Sequence, residues 1–289
     1  MIDHLVSLGR RLTGRDPVQP ASGGSASSAA ASVLETSPAA SPGALPATPP
    51  VPRKRTLIVI PAHNEEENIV EVLDELRSLG LEHDVLVVDD ASRDRTQAVL
   101  QRRGQRHVRL CTNLGYGGAV QTGFKYAVEH GYDHVVQMDG DCQHDPASIP
   151  ALLQPVLAGE ADVALGSRFI GKLCYDVPFL RRLGIALFRS VVSFFMKQKI
   201  KDPTSGFQAL DRKVLEFFTD DTYPMDYPDS DVLLALHFAG FRIREVPVVM
   251  RPRTRGQSIH GGWKTFYYLA KMFLAIFMVL LRHFRRKIR

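Results

Sequence analysis

The sequence has little cysteine, little tryptophan and no long uninterrupted apolar run, and these shortages exclude several classes of protein. Its 289 residues include three cysteines and one tryptophan. The cysteines, Cys111, Cys142 and Cys174, stand far apart and form no Cys-x-x-Cys pair, so neither a disulfide framework nor a structural zinc site is expected. Residues 1–15 contain arginines with no apolar segment after them, so we expect no cleaved secretory signal and reduced thiols in a cytosolic compartment.

The chain also has little net charge outside its last residues. Lysine and arginine number 36 against 31 acidic residues, which gives a net charge of +5 and a pI of about 9.1. Residues 282–289 hold five basic residues and no acid, so they account for the whole excess. The rest of the chain is balanced, and we therefore expect no nucleic-acid partner.

Residues 13–55 contain almost no large apolar side chains and hold eight of the 18 prolines. Such a segment cannot offset the entropy that ordering would remove. The composition predicts a disordered N-terminal linker over residues 1–55, with no function assigned to it.

From Thr56 onward, apolar strands alternate with amphipathic helices. Strands are predicted over 56–60, 84–88, 108–111, 134–138 and 162–165. Helices are predicted after the Asn64 cap and over 92–103, 117–129, 146–157, 179–197, 229–239 and 263–289, with a further strand over 241–250. This alternation predicts an α/β fold with a mostly parallel sheet flanked by helices. Functional groups are expected at the carboxyl ends of its strands.

The most informative motif is Asp139-Gly140-Asp141-Cys142-Gln143-His144, directly after a predicted strand. Asp139, Asp141 and Gln143 supply hard oxygen donors that suit Mg²⁺ or Mn²⁺ bound also to a phosphate. The alternative is an acidic turn before a helix that Asp145 caps.

Two other strand ends are polar. Asp89 and Asp90 end the second strand, where a nucleobase N–H and a ribose hydroxyl are suitable partners; ordinary turn and cap chemistry is the alternative. The glycines of 113–120 do not match a dinucleotide fingerprint, because Val120 stands where its third glycine belongs.

Taken in order, these motifs resemble glycosyltransferase family 2, and within it the polyprenyl-phosphate sugar synthases. The likeness covers about residues 56–262 and rests on Pro61-Ala62-His63-Asn64-Glu65, Asp89-Asp90-Ala91-Ser92, Asn113 to Gly123, Asp139 to His144 and Gly166-Ser167-Arg168-Phe169.

The resemblance implies a GT-A fold and inverting transfer from a nucleotide-diphosphate sugar. It places Pro61, Ala62, Glu65, Asp89, Asp90 and Gly140 around the donor nucleotide, and Asp139, Asp141 and Gln143 on the metal. It places Arg168 near the acceptor phosphate. The family's Asp-x-x-Ser-Gly-Phe element is Asp202 to Phe207, and its late mobile loop is Arg253 to Ser258.

The sequence departs from the family pattern at two places. Ala91 replaces a glycine, and Ile259 and His260 stand where a lysine often follows the late loop. The positive charge that this lysine would supply during sugar transfer is therefore expected from Arg251, Arg253 or Arg255.

The acceptor remains open between two chemistries. A polyprenyl phosphate needs no strong base, whereas a sugar hydroxyl in polysaccharide or glycolipid synthesis needs a carboxylate. Asp229 or Asp231 could be that base or could simply cap a helix. A third reading is a catalytically silent, membrane-tethered binding subunit.

The C-terminal segment 263–289 is predicted to be an amphipathic helix with a basic end. Such a helix suits the surface of an anionic membrane, at its cytoplasmic face. The alternatives are a short membrane span and a helix packed on protein.

Overall fold

A computed structural model describes residues 55–170, 179–219, 223–224, 228–252 and 263–288. Its centre is a seven-stranded sheet in the order β3-β2-β1-β4-β6-β5-β7. The strands are β1 (Thr56–Ala62), β2 (Asp84–Asp89), β3 (His107–Arg109), β4 (His134–Gln137), β5 (Val163–Ser167), β6 (Gln208–Asp211) and β7 (Ile243–Pro247). The helices are α1 (Asn68–Ser78), α2 (Thr96–Arg102), α3 (Tyr116–Glu129), α4 (Ile149–Leu157), α5 (Phe179–Met196), α6 (Arg212–Phe218), α7 (Ser230–Phe238) and α8 (Trp263–Ile288), with a 3-10 turn at Pro146–Ser148.

The sheet is mostly parallel, as predicted, with one reversed strand. β1 pairs in parallel with β2 and β4, β2 with β3, and β5 with β7, whereas β6 runs antiparallel to both β4 and β5. The sequence pattern did not indicate β6 or α6. β6 has only four residues and polar ends, and α6 begins at once after it, where the Asp211 carboxylate accepts the N–H of Val214 at 3.0 Å.

Two predicted helix starts are wrong, for a shared reason. Asn64 does not cap α1, because it adopts a φ of 57° and its side chain accepts the N–H of Arg93 at 2.8 Å. Ser92 does not begin α2, because its hydroxyl accepts the N–H of Asn64 at 3.0 Å. The loops after β1 and β2 therefore bind each other, and α1 and α2 start about a turn later.

Helices cover both faces of the sheet, which explains the unbroken apolar strands. Leu57 and Val59 of β1 belong to the buried cluster on one face, and Ile58 and Ile60 belong to the cluster on the other. On the first face α3 lies very close to β1, since a Cβ on Gly123 would overlap the Val59 side chain.

The predicted C-terminal helix is present as α8. Met272 and Ile276 are buried in the main core cluster, so one face of α8 packs on the domain. The other face exposes large apolar side chains, namely Phe273, Leu274, Phe277, Met278, Leu281 and Phe284. Within the ranges that the structure covers, no helix has both the length and the apolar content to cross a membrane.

The predicted linker lies outside the described residues, apart from Arg55.

Candidate active site

The carboxyl ends of β1, β2 and β4 lie at one edge of the sheet, because these parallel strands are neighbours. Pro61 and Ala62 are the buried end of β1. Gly140, in the loop after β4, lies so close to β1 that a Cβ would be 3.2 Å from the carbonyl oxygen of Pro61. The topology therefore brings the predicted nucleoside and metal residues together.

The loop after β4 holds its polar side chains in defined positions. Asp139 is half-buried, and its Oδ1 accepts a hydrogen bond from the Tyr116 hydroxyl at 2.7 Å. The backbone N–H of Gln143 donates to Asp141 Oδ1 at 3.1 Å. The Gln143 amide group donates to the carbonyl oxygen of Arg251 at 3.5 Å, which places its nitrogen on the Arg251 side. Each predicted metal ligand thus has a neighbour that restricts its orientation.

This donor set fits a divalent cation such as Mg²⁺ or Mn²⁺. Two carboxylates and an amide on one short loop are oxygen donors of the type that these hard cations bind. Across the described part of the chain, no three His, Cys, Asp or Glu side chains form a metal cage of their own. Mg²⁺ bound by one or two carboxylates usually keeps ligands from water and from substrate phosphates as well.

His144 is a neutral ring that supports the loop after β4 through a hydrogen bond to its backbone. It is buried, and its ring stacks on Phe207 with centroids 4.7 Å apart. Burial lowers the pKa of His144 to about 4. The N–H of Asp139 donates to His144 Nδ1 at 3.0 Å, which puts the ring proton on Nε2, 3.6 Å from Asp139 Oδ2. Sequence reasoning quoted His144 within its motif but assigned it no role.

Asp89 and Asp90 are buried and bind backbone amides. Asp89 Oδ1 accepts the N–H of Ser92 at 2.9 Å. The two oxygens of Asp90 accept the N–H groups of Leu114 at 2.7 Å and Gly115 at 2.9 Å. The Asp89 contact is the turn chemistry that the sequence left as the alternative. The Asp90 contacts are long-range and fix the loop that leads into α3. A direct contact with the nucleoside stays a prediction.

A cavity of about 860 Å³ opens at the ends of β1, β2 and β3. Its lining residues are His63, Asn64, Ala91, Ser92, Arg93, Asp94, Arg109, Cys111, Thr112 and Asn113. The lining does not include the predicted nucleoside residues Pro61, Ala62, Glu65, Asp89 and Asp90. Arg109 and Cys111 were not singled out from sequence, although their place just at the end of the third strand is a usable signal.

Glu65 helps to fix the first of these loops. Its backbone N–H donates to the hydroxyl of Thr96 at 2.9 Å, and its carboxylate accepts from the Asn68 amide at 2.5 Å. Glu65 is half-buried, and its carboxylate therefore organises the start of α1.

Arg168 forms a buried ion pair with Asp202. Its Nε and Nη2 lie 2.7 and 2.6 Å from the two oxygens of Asp202, and its N–H donates to the same carboxylate at 3.0 Å. Nη2 also donates to the Thr204 hydroxyl at 3.1 Å. The side chain of Arg168 is 5% exposed and that of Asp202 is not exposed at all. The pair joins the end of β5 to the segment before β6.

Asp231 lies in the first turn of α7 and is buried. Its Oδ1 accepts the N–H of Asp229 at 3.2 Å, and burial raises its pKa to about 6. The third residue predicted to be catalytic, Arg255, lies outside the described residues with the rest of the late loop 253–258.

The mixed sheet thus carries an Asp-x-Asp loop and an open cavity at the same carboxyl edge. The sequence model named Glycosyl transferase family 2 matches residues 57–218. The chain belongs to this family, and it is a glycosyltransferase.

Two relatives are about one third identical to this chain. One is a polyprenol monophosphomannose synthase of Mycolicibacterium smegmatis, 34% identical over 223 residues, which are 73% of this chain and 83% of the relative. The other is an undecaprenyl-phosphate mannosyltransferase of Micrococcus luteus, 33% identical over 216 residues, 72% of this chain and 88% of the relative.

A solved structure supports the fold. Glucosyl-3-phosphoglycerate synthase from Mycobacterium tuberculosis, in complex with Mn²⁺ and UDP-glucose, superposes with a TM-score of 0.60 at 22% identity. The match covers 80% of this chain and 79% of that one. At this identity the likeness shows the GT-A fold, which confirms the fold predicted from sequence.

Proposed function

We propose that this protein transfers a sugar, with inversion, from a nucleotide-diphosphate donor to a polyprenyl phosphate at the cytoplasmic face of a membrane. The observation that carries the proposal is the carboxylate pair Asp139 and Asp141 after β4, at the same carboxyl edge of the sheet as an open cavity. The acceptor is suggested by the names of the two mannosyltransferase relatives. Family membership and the intact Asp139, Asp141 and Gln143 set disfavour a silent binding subunit.

The donor site would work by holding charge. A nucleoside diphosphate is a poor leaving group until its negative charge is neutralised, and a divalent cation supplies that Lewis-acid chemistry when bound. Asp139, Asp141 and Gln143 would hold the cation. The cavity beside His63 and Asn113 would hold the nucleoside. Asp89, Asp90 and Glu65 would act on the donor mainly by fixing the loops that form this cavity.

A phosphate acceptor is already an anion, so its attack on the sugar needs positioning more than a base. Arg168 and Arg255 are the cations proposed for that step. The ion pair with Asp202 would hold the Arg168 guanidinium in one plane at the end of β5. Arg251, another candidate, binds Glu75 at 2.6 Å and Asp145 at 3.0 Å. We therefore assign Arg251 to holding the metal loop in place.

Transfer to a sugar hydroxyl is the second candidate function, and one observation favours it. Burial raises the pKa of Asp231 to about 6, which is near the value that suits a general base at neutral pH. Asp231 would then take the hydroxyl proton. Its bond to the Asp229 N–H and its burial favour the structural role instead.

Peripheral membrane association would follow from the two faces of α8. One face is anchored by Met272 and Ile276, and the other exposes Leu274, Phe277 and Leu281 at 62%, 58% and 42%. Arg282 and Arg285 are exposed at the same end of the helix. An exposed apolar stripe with basic residues at its end suits anionic lipid.

The acceptor is tested by radiolabelled transfer. Purified protein with Mn²⁺ is given GDP-mannose, UDP-glucose or UDP-N-acetylglucosamine, and either undecaprenyl phosphate or a lipid-free oligosaccharide. We expect a chloroform-soluble labelled product from one donor, and its loss in EDTA. Labelling of the oligosaccharide alone would instead establish the second candidate, and Asp231→Asn should then abolish it.

The membrane is tested by co-sedimentation with vesicles at two salt concentrations. Replacing Arg282, Arg285, Arg286, Lys287 and Arg289 by Gln should weaken binding to anionic vesicles far more than to neutral ones, because each basic residue contributes about 1 kcal/mol near an anionic surface. Salt should weaken the electrostatic part of vesicle binding, and the apolar face should hold the part that persists at high salt. Replacing Phe277 and Leu281 by Ser should remove that persistent part. Equal binding of all variants, with wild type sedimenting as a dimer, would assign the stripe to a protein contact.

A further inference from the structure

Tyr116 bridges two polar side chains on β4 and the loop after it. Its hydroxyl accepts a hydrogen bond from the amide of Gln137 at 2.8 Å and donates one to Asp139 Oδ1 at 2.7 Å. The Gln137 bond leaves the hydroxyl proton directed at the carboxylate, since an amide N–H can only donate. Asp139 therefore has a fixed donor on one oxygen.

The position of Tyr116 is set from the nucleoside side of the site. Tyr116 is the first residue of α3, directly after Gly115, which adopts a φ of 86°. Asp90 binds the N–H groups of Leu114 and Gly115, and Asn113 lines the cavity. A single short segment, 113–116, thus runs from the cavity wall to the predicted metal ligand.

Gly206 leaves no spare room on the opposite side of this hydroxyl. A Cβ at Gly206 would lie 2.7 Å from the Tyr116 oxygen and 3.6 Å from each oxygen of Asp139. A real Cβ does not approach an oxygen so closely, so a side chain at this position would displace the phenol.

We propose that Tyr116 is a positioning residue that holds Asp139 in its metal-binding orientation and connects that ligand to the nucleoside cavity through the segment 113–116. The proposal rests on the proposed function, since it takes Asp139 to serve a metal bound with a nucleoside diphosphate. Hydrogen bonds from neighbouring groups orient the carboxylates that bind metals, and the loss of such a bond typically lowers the affinity for the metal by about 10-fold or more.

The opposite end of the sheet offers a matched control. The hydroxyl of Tyr132 donates to Asp84 Oδ2 at 2.7 Å, the same bond at the same length, but Asp84 begins β2 rather than following a strand. Tyr132→Phe therefore removes an equivalent phenol–carboxylate bond without touching the site.

The experiment measures Mn²⁺ affinity from the free Mn²⁺ signal in electron paramagnetic resonance, with UDP or with GDP present. Tyr116→Phe should weaken Mn²⁺ binding by about 10-fold. Tyr132→Phe should bind Mn²⁺ as the wild type does and show its effect only in the melting temperature. In transfer, the loss for Tyr116→Phe should be recovered in part at high Mn²⁺, because a misoriented ligand can still be saturated.

Gly206→Ala supplies a second, independent variant. Alone it should weaken Mn²⁺ binding, because its methyl group displaces the hydroxyl of Tyr116. Combined with Tyr116→Phe it should add little, because the displaced atom is already gone. Such non-additivity indicates that both changes act through one contact.

Two results would overturn the inference in distinguishable ways. If Tyr116→Phe binds Mn²⁺ like wild type while Asp139→Ala does not bind it, the positioning role is wrong and the proposed metal site stands. If wild type binds Mn²⁺ no better than Asp139→Ala with either nucleotide, both the metal site and the positioning role are wrong.

Discussion

The two ends of the central sheet each carry a tyrosine–aspartate hydrogen bond of 2.7 Å, but the surroundings of the two carboxylates differ. At the amino end, the Asp84 carboxylate accepts the hydrogen bond of the Tyr132 hydroxyl. The same carboxylate lies 3.4 Å from the Arg55 guanidinium and 3.3 Å from that of Arg106. The Tyr132 hydrogen bond, with the charges of the two arginines, lowers the pKa of Asp84. At the carboxyl end, the hydroxyl of Tyr116 donates to Asp139, while the neutral ring of His144 lies 3.6 Å from the same carboxylate.

The difference shows how one fold uses the same contact for two purposes. Arginines beside a carboxylate balance its charge and tie strands together. At Asp139, the neutral groups of Tyr116 and His144 help to orient the carboxylate, which suits a ligand for a divalent cation. We therefore expect the Tyr132–Asp84 contact to serve stability and the Tyr116–Asp139 contact to serve metal binding.

The largest effect is expected for Asp139→Ala. Transfer should fall by about 1,000-fold or more, because metal stabilisation of a leaving diphosphate is worth several kcal/mol. The melting temperature should change little, because Asp139 lies in a loop at the sheet edge and is partly exposed. Asp74→Ala, which breaks a surface pair with Arg103, is the control and should transfer normally. Undiminished transfer by Asp139→Ala in chelator-treated buffer would contradict the metal assignment.

The next effect concerns stability within the carboxyl half. Asp202→Asn should lower the free energy of unfolding by about 3 kcal/mol, because it removes the carboxylate charge that pairs with the buried Arg168 guanidinium. Urea denaturation measures this loss. Glu160→Gln, which breaks the exposed pair with Arg244, should change stability by less than about 0.5 kcal/mol. Equal losses in the two variants would mean that the Arg168 pair does not hold the site together.

Asp231→Asn should produce a pH-dependent gain in stability. The pKa of Asp231 is raised from 3.8 to about 6, so the folded state binds its proton more tightly and the wild type loses stability as pH rises through this window. The variant should therefore be more stable by about 3 kcal/mol above about pH 7 and equal to wild type below about pH 3. Melting temperatures across this range measure the gain. A variant that is less stable at pH 8 would contradict the burial argument, and retained transfer to undecaprenyl phosphate would exclude Asp231 as a base.

The smallest effect is expected at the N-terminus. Deleting residues 1–52 should leave transfer and melting temperature nearly unchanged, because the segment has too few large apolar side chains to pack. Calorimetry of the shortened and full chains makes the comparison. A clear drop in melting temperature would show that the segment docks on the domain.

Much of the fold could be predicted because its strands are strongly marked. β1, β2, β4 and β5 are apolar runs bounded by turn residues, and each is present close to its predicted bounds. β6 was not predicted, because a strand of four residues that pairs between two distant strands leaves no periodic signal in the sequence. Asn64 was wrongly predicted to cap α1, because its side chain accepts a hydrogen bond from Arg93, 29 residues away. No local sequence pattern encodes this contact.

The site was predictable in kind rather than in detail. The motif Asp139 to His144 predicts a metal loop, but the partners that position this loop come from elsewhere in the chain. Tyr116 precedes Asp139 by 23 residues, and Asp202 follows Arg168 by 34. Such long-range hydrogen bonds depend on strand order, and the antiparallel β6 that sets this order near Gly206 was not foreseen.

The different roles of the two sheet ends are tested most directly by measuring nucleotide-dependent Mn²⁺ binding in a matched pair of variants. Asp141→Asn and Asp84→Asn each remove one carboxylate charge, from opposite ends of the sheet. With UDP or GDP present, Asp141→Asn is predicted to lose Mn²⁺ binding while keeping its melting temperature, and Asp84→Asn to keep Mn²⁺ binding while losing several degrees. The same Mn²⁺ affinity in both variants would contradict the account.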